Sequence, residues 1–575
     1  MRFVIATVLL VSSGISVLVG FAIREPFTKE SLHRVDFQVS SPYSYVVIPN
    51  SLLKTYDGEI SVEANGLKEI FYADGSERDV LDWVGTSNYV SLGIDSTTQK
   101  PKINEIIADG PNSDPAGSDM WRSQLTVKKK LLNVVSMFDD TSVLLASDGF
   151  SRAPDKIALI WDAKPLVNWP QLLIYGGLGL LVAALIMNYL AFRNIRRLRG
   201  PRRRIPKSPS GPKYRKKIRP EVPVRGRRAV GKSNRRRMMA APVSLISLSL
   251  LAGCASPSET DTQDKPKFET VNVVVTDSQL QRIVSAVAAK VKEADTAREE
   301  RTLVERAAGP ALEIRKVQYF LQSKSKKIPK LPVILANPIT VALPMEKPAP
   351  GLGWQPRTIM VVTKAETSTS APQMLVLQQQ TPRENYKLWY LIDLLPSGKF
   401  PNVAAQAVGA LPVEANTKFL VTKLKSVPFK YGDVINKGLA SNYSTEFDLA
   451  SDEFYAALSE SQTKQKADAA KVNAKIQFLH SIGSSNILGL LTVESGGLVA
   501  IAMNDTSLIK PKVRGEAVSV NLPDQKILLD APGSSTGLKI VYENMLLFYV
   551  PVAGSEEKIR LVGASQGLLS VKSIR

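Results

Sequence analysis

The stretch LLIYGGLGLLVAALIMNYLAF, Leu172 to Phe192, runs 21 residues without a charge and is followed at once by Arg193, Arg196, Arg197 and Arg199. A run of that length crosses the roughly 30 Å hydrocarbon layer as a helix. Trp169 and Pro170 precede it, and an aromatic belt on one side with arginines on the other gives its direction, outside to inside. Upstream, Phe3 to Ile23 is also apolar, follows Arg2 and lacks an A-x-A cleavage signal, so residues 1–23 read as a retained signal-anchor. The first helix then starts inside, residues 24–171 lie outside, and 172–192 returns the chain to the cytoplasm. Ser12, Ser16 and Gly20 recur at four-residue spacing, as do Gly179 and Ala183, a pattern that lets two such helices pack closely.

Charge is concentrated just beyond this helix. The 575 residues hold 74 Lys+Arg against 53 Asp+Glu, a net +21. Between Arg193 and Arg237 stand 20 basic residues and one acid, Glu221, which leaves only +2 for everything else. A basic nucleic-acid-binding domain is therefore not expected. Pro201, Pro206, Pro209, Pro212, Pro220 and Pro223 interrupt the run, so residues 193–237 are expected to form a disordered polybasic cytoplasmic linker. Arg193, Arg196, Arg197, Arg202, Arg203, Arg204, Arg235, Arg236 and Arg237 are its candidate contacts with anionic lipid headgroups, at about 1 kcal/mol per basic residue near the surface. The plainer reading is that the charge only fixes topology. Nucleic acid comes third, with Tyr214 alone available for stacking. Gly226 to Ser233, GRRAVGKS, spells a phosphate loop, but prolines stand where its strand should be and a triple arginine where its helix should be, so nucleotide binding is rejected.

The third apolar segment, residues 238–254, follows Arg235-Arg236-Arg237 and ends in Leu251-Ala252-Gly253-Cys254, with the only cysteine of the chain in last place. It resembles the bacterial lipoprotein signal, or lipobox. The resemblance implies lipidation of Cys254 and cleavage before it, yielding two products; the alternative is an uncut third span. Residues 255–268 follow as a polar tether.

In the outer region, 24–171, strands are expected at 35–39, 44–48, 59–63, 89–94, 142–146 and 156–161, with a helix at 77–84. Ser44-Tyr45-Val46-Val47-Ile48-Pro49, Arg78-Asp79-Val80-Leu81-Asp82-Trp83-Val84-Gly85 and Ala146-Ser147-Asp148-Gly149 with Ala153-Pro154 resemble an actinobacterial family of membrane proteins of unknown function. Its relatives commonly carry a glycosyltransferase label; the resemblance implies a cell type and a location rather than a reaction.

The C-terminal half divides into two expected modules, 269–425 and 426–575. The first has a helix over 276–308 and strands at 339–343, 358–363, 374–377 and 388–395. The second has a helix over 451–480 and strands at 487–493, 498–503, 539–551 and 559–561. The whole is expected to be α+β, with transmembrane helices, a β-rich outer domain and two helix-plus-antiparallel-sheet modules similar in outline to the nuclear-transport-factor-2-like cone.

Chemistry is sparse. His33 and His480 are the only histidines, and no metal or cofactor is expected. Gly563 to Gly567 and Gly533 to Gly537 match G-x-S-x-G, but no histidine follows either serine, so both read as turns. Asp139-Asp140 is an acidic pair of the glycosyltransferase kind or a solvated turn, and His480 reads as a helix-end residue. The leading expectation is a membrane-anchored envelope protein, a non-enzymatic binding or scaffold module for a cell-wall or lipid-linked ligand or for other envelope proteins. Its rival is an envelope glycosyltransferase with carboxylates not identifiable from the sequence.

Overall fold

The computed structural model describes residues 2–23, 31–163, 169–198, 271–349, 351–364, 371–483 and 485–574. After helix α1 (Arg2–Ala22), strands β1 (Ser31–Gln38), β2 (Tyr45–Ile48) and β3 (Glu59–Ser76) lead to helix α2 (Glu77–Val84). Strands β4 (Tyr89–Ile94), β5 (Pro101–Ile106), β6 (Ser123–Val134), β7 (Thr141–Ala146) and β8 (Lys156–Ala163) complete the domain between the two apolar helices, called the outer domain after the expected topology, before helix α3 (Trp169–Leu198).

The eight strands form one sheet in the order β1-β8-β3-β7-β2-β4-β5, with β6 along the other edge of β3. β3 organises it. Its first half pairs with β8 and its second with β7, and the register slips between Asn65 and Glu69 where it turns from one to the other. Ile48, Ile60, Val62, Tyr72, Leu145 and Trp161 fill one face. Tyr45, Val47, Phe71, Ala73 and Leu144 fill the other, beneath Val80, Trp83 and Val84 of α2 and the loop carrying Trp121. α2 forms because Ser76 accepts a hydrogen bond from the Asp79 backbone N–H at 3.1 Å, with Glu77 and Asp79 in the first turn. Gly85, at φ +57°, ends it.

The two apolar helices are each long and apolar enough to cross a membrane and pack antiparallel. Their contact recurs every seven residues, not every four. Ala6, Ser13 and Gly20 are buried against a line of Pro170, Gly177, Ala184 and Ala191, while Ser12, Gly179 and Ala183 are exposed. Ser13 Oγ donates to the Gly177 carbonyl at 2.7 Å. A Cβ at Gly177 would fall 2.7 Å from Val17, and one at Gly20 would fall 2.8 Å from Ile174. A seven-residue period keeps one seam of each helix facing its partner.

The C-terminal half opens with helices α4 (Asp277–Ala297) and α5 (Gly309–Lys324), then β9 (Ile339–Pro344), β10 (Arg357–Thr363), β11 (Gln373–Gln379) and β12 (Lys387–Asp393), an antiparallel sheet in chain order. Thr276 and Gln279 close a capping box on α4. The helix expected over 276–308 instead stops at Arg298, in the left-handed conformation at φ +56°. The second module has helices α6 (Val427–Lys437) and α7 (Glu453–Lys471), then β13 (Ala474–Ile482), β14 (Leu488–Leu491), β15 (Gly497–Pro511), β16 (Leu538–Val550) and β17 (Arg560–Ser573), in the order β13-β15-β16-β17 with β14 beside β15. α7 ends at Lys471, nine residues before the expected boundary at His480, because Asn473 at φ +50° turns the chain into β13.

The modules share their packing. Leu498, Ala500, Ala502, Met545, Leu547 and Tyr549 of the second sheet join the core formed by α4 and the first sheet. The other face, Val499, Ile501, Met503, Leu546 and Phe548, packs under Tyr431 and Val434 of α6. Burial on both faces explains the nearly unbroken apolar runs of β15 and β16.

Candidate functional site

The outer domain and the first C-terminal module meet in one cluster of ionic and carbonyl contacts, and it is built from α2 upward. Asp79, in the first turn of α2, receives Arg357 Nη2 of β10 at 2.5 Å. Burial alone would push the Arg357 guanidinium down, but Asp79, with Tyr386 and Asp82, outweighs it and holds it above its ordinary value. Its plane lies 4.4 Å from the Trp354 ring, and Trp354 itself packs against the α2 side of the outer sheet. At the other end of the helix, Arg383 donates to the Trp83 carbonyl at 3.0 Å, to Val84 at 2.8 Å, to Ser87 Oγ at 2.7 Å and to the Pro111 carbonyl at 2.6 Å. The last carbonyls of a helix have no partner within it, so an arginine from a distant segment caps α2.

A second pair lies beside the first. Arg306 grips Asp119 through both nitrogens, at 2.5 and 3.2 Å, and Asp119 also accepts the Tyr386 backbone N–H at 2.9 Å. Asn385 Oδ1 accepts the Asp119 backbone N–H at 2.9 Å. Gln279 and Arg282 of α4 donate to the carbonyls of Asp119, Met120, Trp121 and Arg122. Lys347 reaches Asp140 at 2.6 Å from one side and Arg122 reaches it at 2.6 Å from the other. Burial pushes the Asp140 carboxyl up, but the two cations outweigh it and keep it below the ordinary range. In the reverse direction, Arg78 of α2 donates to the carbonyls of Pro348, Ala349, Leu352 and Gly353. The motif Arg78 to Gly85 is thus a docking element.

Two other features have the look of chemistry. Burial lifts Glu543 to about 7 and Asp505 to about 6, and lowers His480 to about 4. His480 lies opposite Asp505, their side chains 3.7 Å apart, and Glu543 lies opposite Asn504. Side chains alternate across a sheet, so Asp505 and Glu543 point to opposite faces and cannot act on one substrate. His480 is therefore a mid-strand core residue, not a helix end. Separately, the outer domain has a surface cleft of about 390 Å³ lined by Lys68, Glu69, Phe71, Asp114, Thr126 and Asp148, within the about 300–1,000 Å³ common for small-molecule sites. Asp148 is held at about 2 by the backbone N–H groups of Ser151 and Phe150, which makes it a turn-forming residue.

The remaining candidates are placed plainly. Asp139 and Asp140 do not form an open acidic pair, since Asp139 binds Lys54 and Asp140 its two cations. Ser565 lies within β17, not in a turn, where it accepts the Asp393 backbone N–H at 3.0 Å. Arg193, Arg196 and Arg197 fall in the last turns of α3. Leu251, Ala252, Gly253 and Cys254, with Arg202, Arg203, Arg204, Arg235, Arg236 and Arg237, lie outside the described residues, as do the phosphate-loop match and the tether. Among the described residues no group of three or more His, Cys, Asp or Glu side chains is placed to hold a metal.

Fold and contacts together define an α+β protein with two apolar helices and a body assembled from segments on both sides of the second helix. A family model, the domain of unknown function DUF8094, matches residues 271–573, more than half of the chain, and the chain belongs to that family. No curated protein and no solved structure matches it.

Proposed function

We propose that this is a membrane-anchored cell-envelope protein whose outer domain and C-terminal modules work as one binding or scaffold body on the outer face. The buried contacts of Asp79 with Arg357 and Asp119 with Arg306 carry this reading. Residues 32–163 lie between the two apolar helices and residues 271–575 follow the second. If both helices cross the bilayer, partners that share a desolvated interface occupy one compartment only when the chain crosses once more between them. Residues 238–253 are the apolar segment available for that crossing. The lipobox resemblance at Cys254, with its actinobacterial associations, supports the same sidedness, and the arginines from Arg193 to Arg237 then face anionic headgroups of the cytoplasmic leaflet.

A binding role is favoured over glycosyl transfer by how the acids are placed. Sugar transfer needs a carboxylate free to act as base or metal ligand in a cleft, whereas Asp505 and Glu543 point to opposite faces of their sheet and Asp140 is neutralised by two cations. The cone-like reading of the modules rests on their order, two helices and then an antiparallel sheet. A cell-wall or lipid-linked ligand remains our proposed occupant, with the cleft beside Phe71 as its first candidate location.

Sidedness is tested with single cysteines in a Cys254→Ala background. Lys100→Cys and Glu556→Cys, both at exposed positions, should react with a membrane-impermeant maleimide in intact cells, and Lys207→Cys only after permeabilisation. Protection of Glu556→Cys until the membrane is opened would overturn the proposal.

A further inference from the structure

We infer that the contact between residues 32–163 and 271–575 is a protein–protein interface, able to hold the two parts together as separate polypeptides once the chain between them is cut. The inference extends the proposal above but stands on the interface alone.

Three observations carry it. Each side has its own apolar core, one within the outer sheet and one spanning the C-terminal modules, and Trp354 is the C-terminal residue that packs against the second core of the outer domain. The join is chemically one-sided. Arg282, Arg306, Lys347, Arg357 and Arg383 come from the C-terminal part and meet Asp79, Asp119, Asp140 and a set of backbone carbonyls on the outer domain, with Arg78 returning the pattern. Complementary charge of this kind sets partner choice and register between chains. Finally, the central pairs are desolvated, with Arg357 and Asp79 side chains 4% and 7% exposed, as in the buried anchor positions that dominate binding between proteins. The partner that fits the cationic face is therefore an acidic surface that also offers a helix C-terminus for Arg383, as this chain's own outer domain does.

The test uses the full chain with Cys254→Ala, a site-specific protease sequence inserted between Ser210 and Gly211, and an affinity tag at the C-terminus. After cleavage in detergent, fragment 1–210 should stay with the tagged fragment. Combining Arg306→Met with Arg383→Met should raise its release at least tenfold, while Lys430→Met, which breaks a pair with Glu446 outside the interface, should leave retention unchanged. Lys347→Met alone, at a partly exposed position, provides a milder variant if the double one misfolds; it should raise release severalfold. Loss of fragment 1–210 from the unsubstituted protein on cleavage would overturn the inference, and so would equal retention in every variant. The assay is made in detergent, so a failure of sidedness would leave its result untouched.

Discussion

Glu543 carries a carboxyl into the seam between the two C-terminal sheets, where it is 3% exposed and burial lifts it to about 7. A raised carboxyl binds its proton more tightly in the folded than in the unfolded state. Its contribution is fully present below the ordinary value near 4.5 and is lost as pH rises through 7. Glu543→Gln should therefore leave thermal stability nearly unchanged at pH 4.5 and raise it above pH 7, by an amount on the order of 3 kcal/mol at most. Equal shifts of Tm at both pH values would refute it. Asp505 acts in the same direction and His480 in the opposite one, losing stability as pH falls from 6.5 toward 4. At this scale the strand signal around His480 is present but short: Ala470, Val472, Ala474, Ile476 and Phe478 alternate with polar residues, and the alternation begins inside the last turn of α7, ahead of the turn at Asn473, so helix and strand patterns overlap there. The sequence is silent on the docking cations. Arg282, Arg306, Arg357 and Arg383 are spread over a hundred residues among ordinary surface-type charges, and only the motif at Arg78 to Gly85, which meets Arg357 and Arg383, stands out in the sequence.

Among elements, the apolar helices show how spacing misleads. Several small residues sit in each helix, and both four- and seven-residue periods can be drawn through them. The choice is made by the antiparallel partner, which the sequence of one helix does not contain. Cysteines introduced as Ala6→Cys and Ala184→Cys, buried seam positions seven residues from Ser13 and Gly177 that already carry a Cβ, with Cys254→Ala, should form a disulfide on oxidation, whereas Ser12→Cys with Gly179→Cys should not; the fraction cross-linked on a gel checks both. Adding Gly20→Leu should suppress the first cross-link, since even a Cβ at that position meets Ile174. Strands β5 and β6 were missed for a different reason. Their residues are exposed on both faces for most of their length, with Lys128-Lys129-Lys130 in the middle of β6, so they lack the apolar alternation by which a half-buried strand is read. β2, β4, β7 and α2, each with at least one buried face, lie within a residue or so of where the sequence placed them.

For the molecule as a whole, the interface predicts coupled unfolding. Removing one partner of a buried ion pair costs about 3–5 kcal/mol, because the other charge stays desolvated. The outer domain and the C-terminal modules should open together in denaturant, and Arg306→Met should split this into two transitions, read separately by hydrogen exchange on peptides from β7 and from β16. A single unchanged transition in the variant would count against coupling. The family match covers only the C-terminal side of this interface. On the outer side, Arg383 and Arg282 meet mainly backbone carbonyls, at Trp83, Val84, Pro111, Trp121 and Arg122. A carbonyl is supplied by any residue, so the outer surface is free to diverge in its side chains while the arginines opposite it stay fixed. Correlated substitutions between the two halves would then concentrate at Asp79 with Arg357 and Asp119 with Arg306, and the rest of the joint would be inherited as backbone shape.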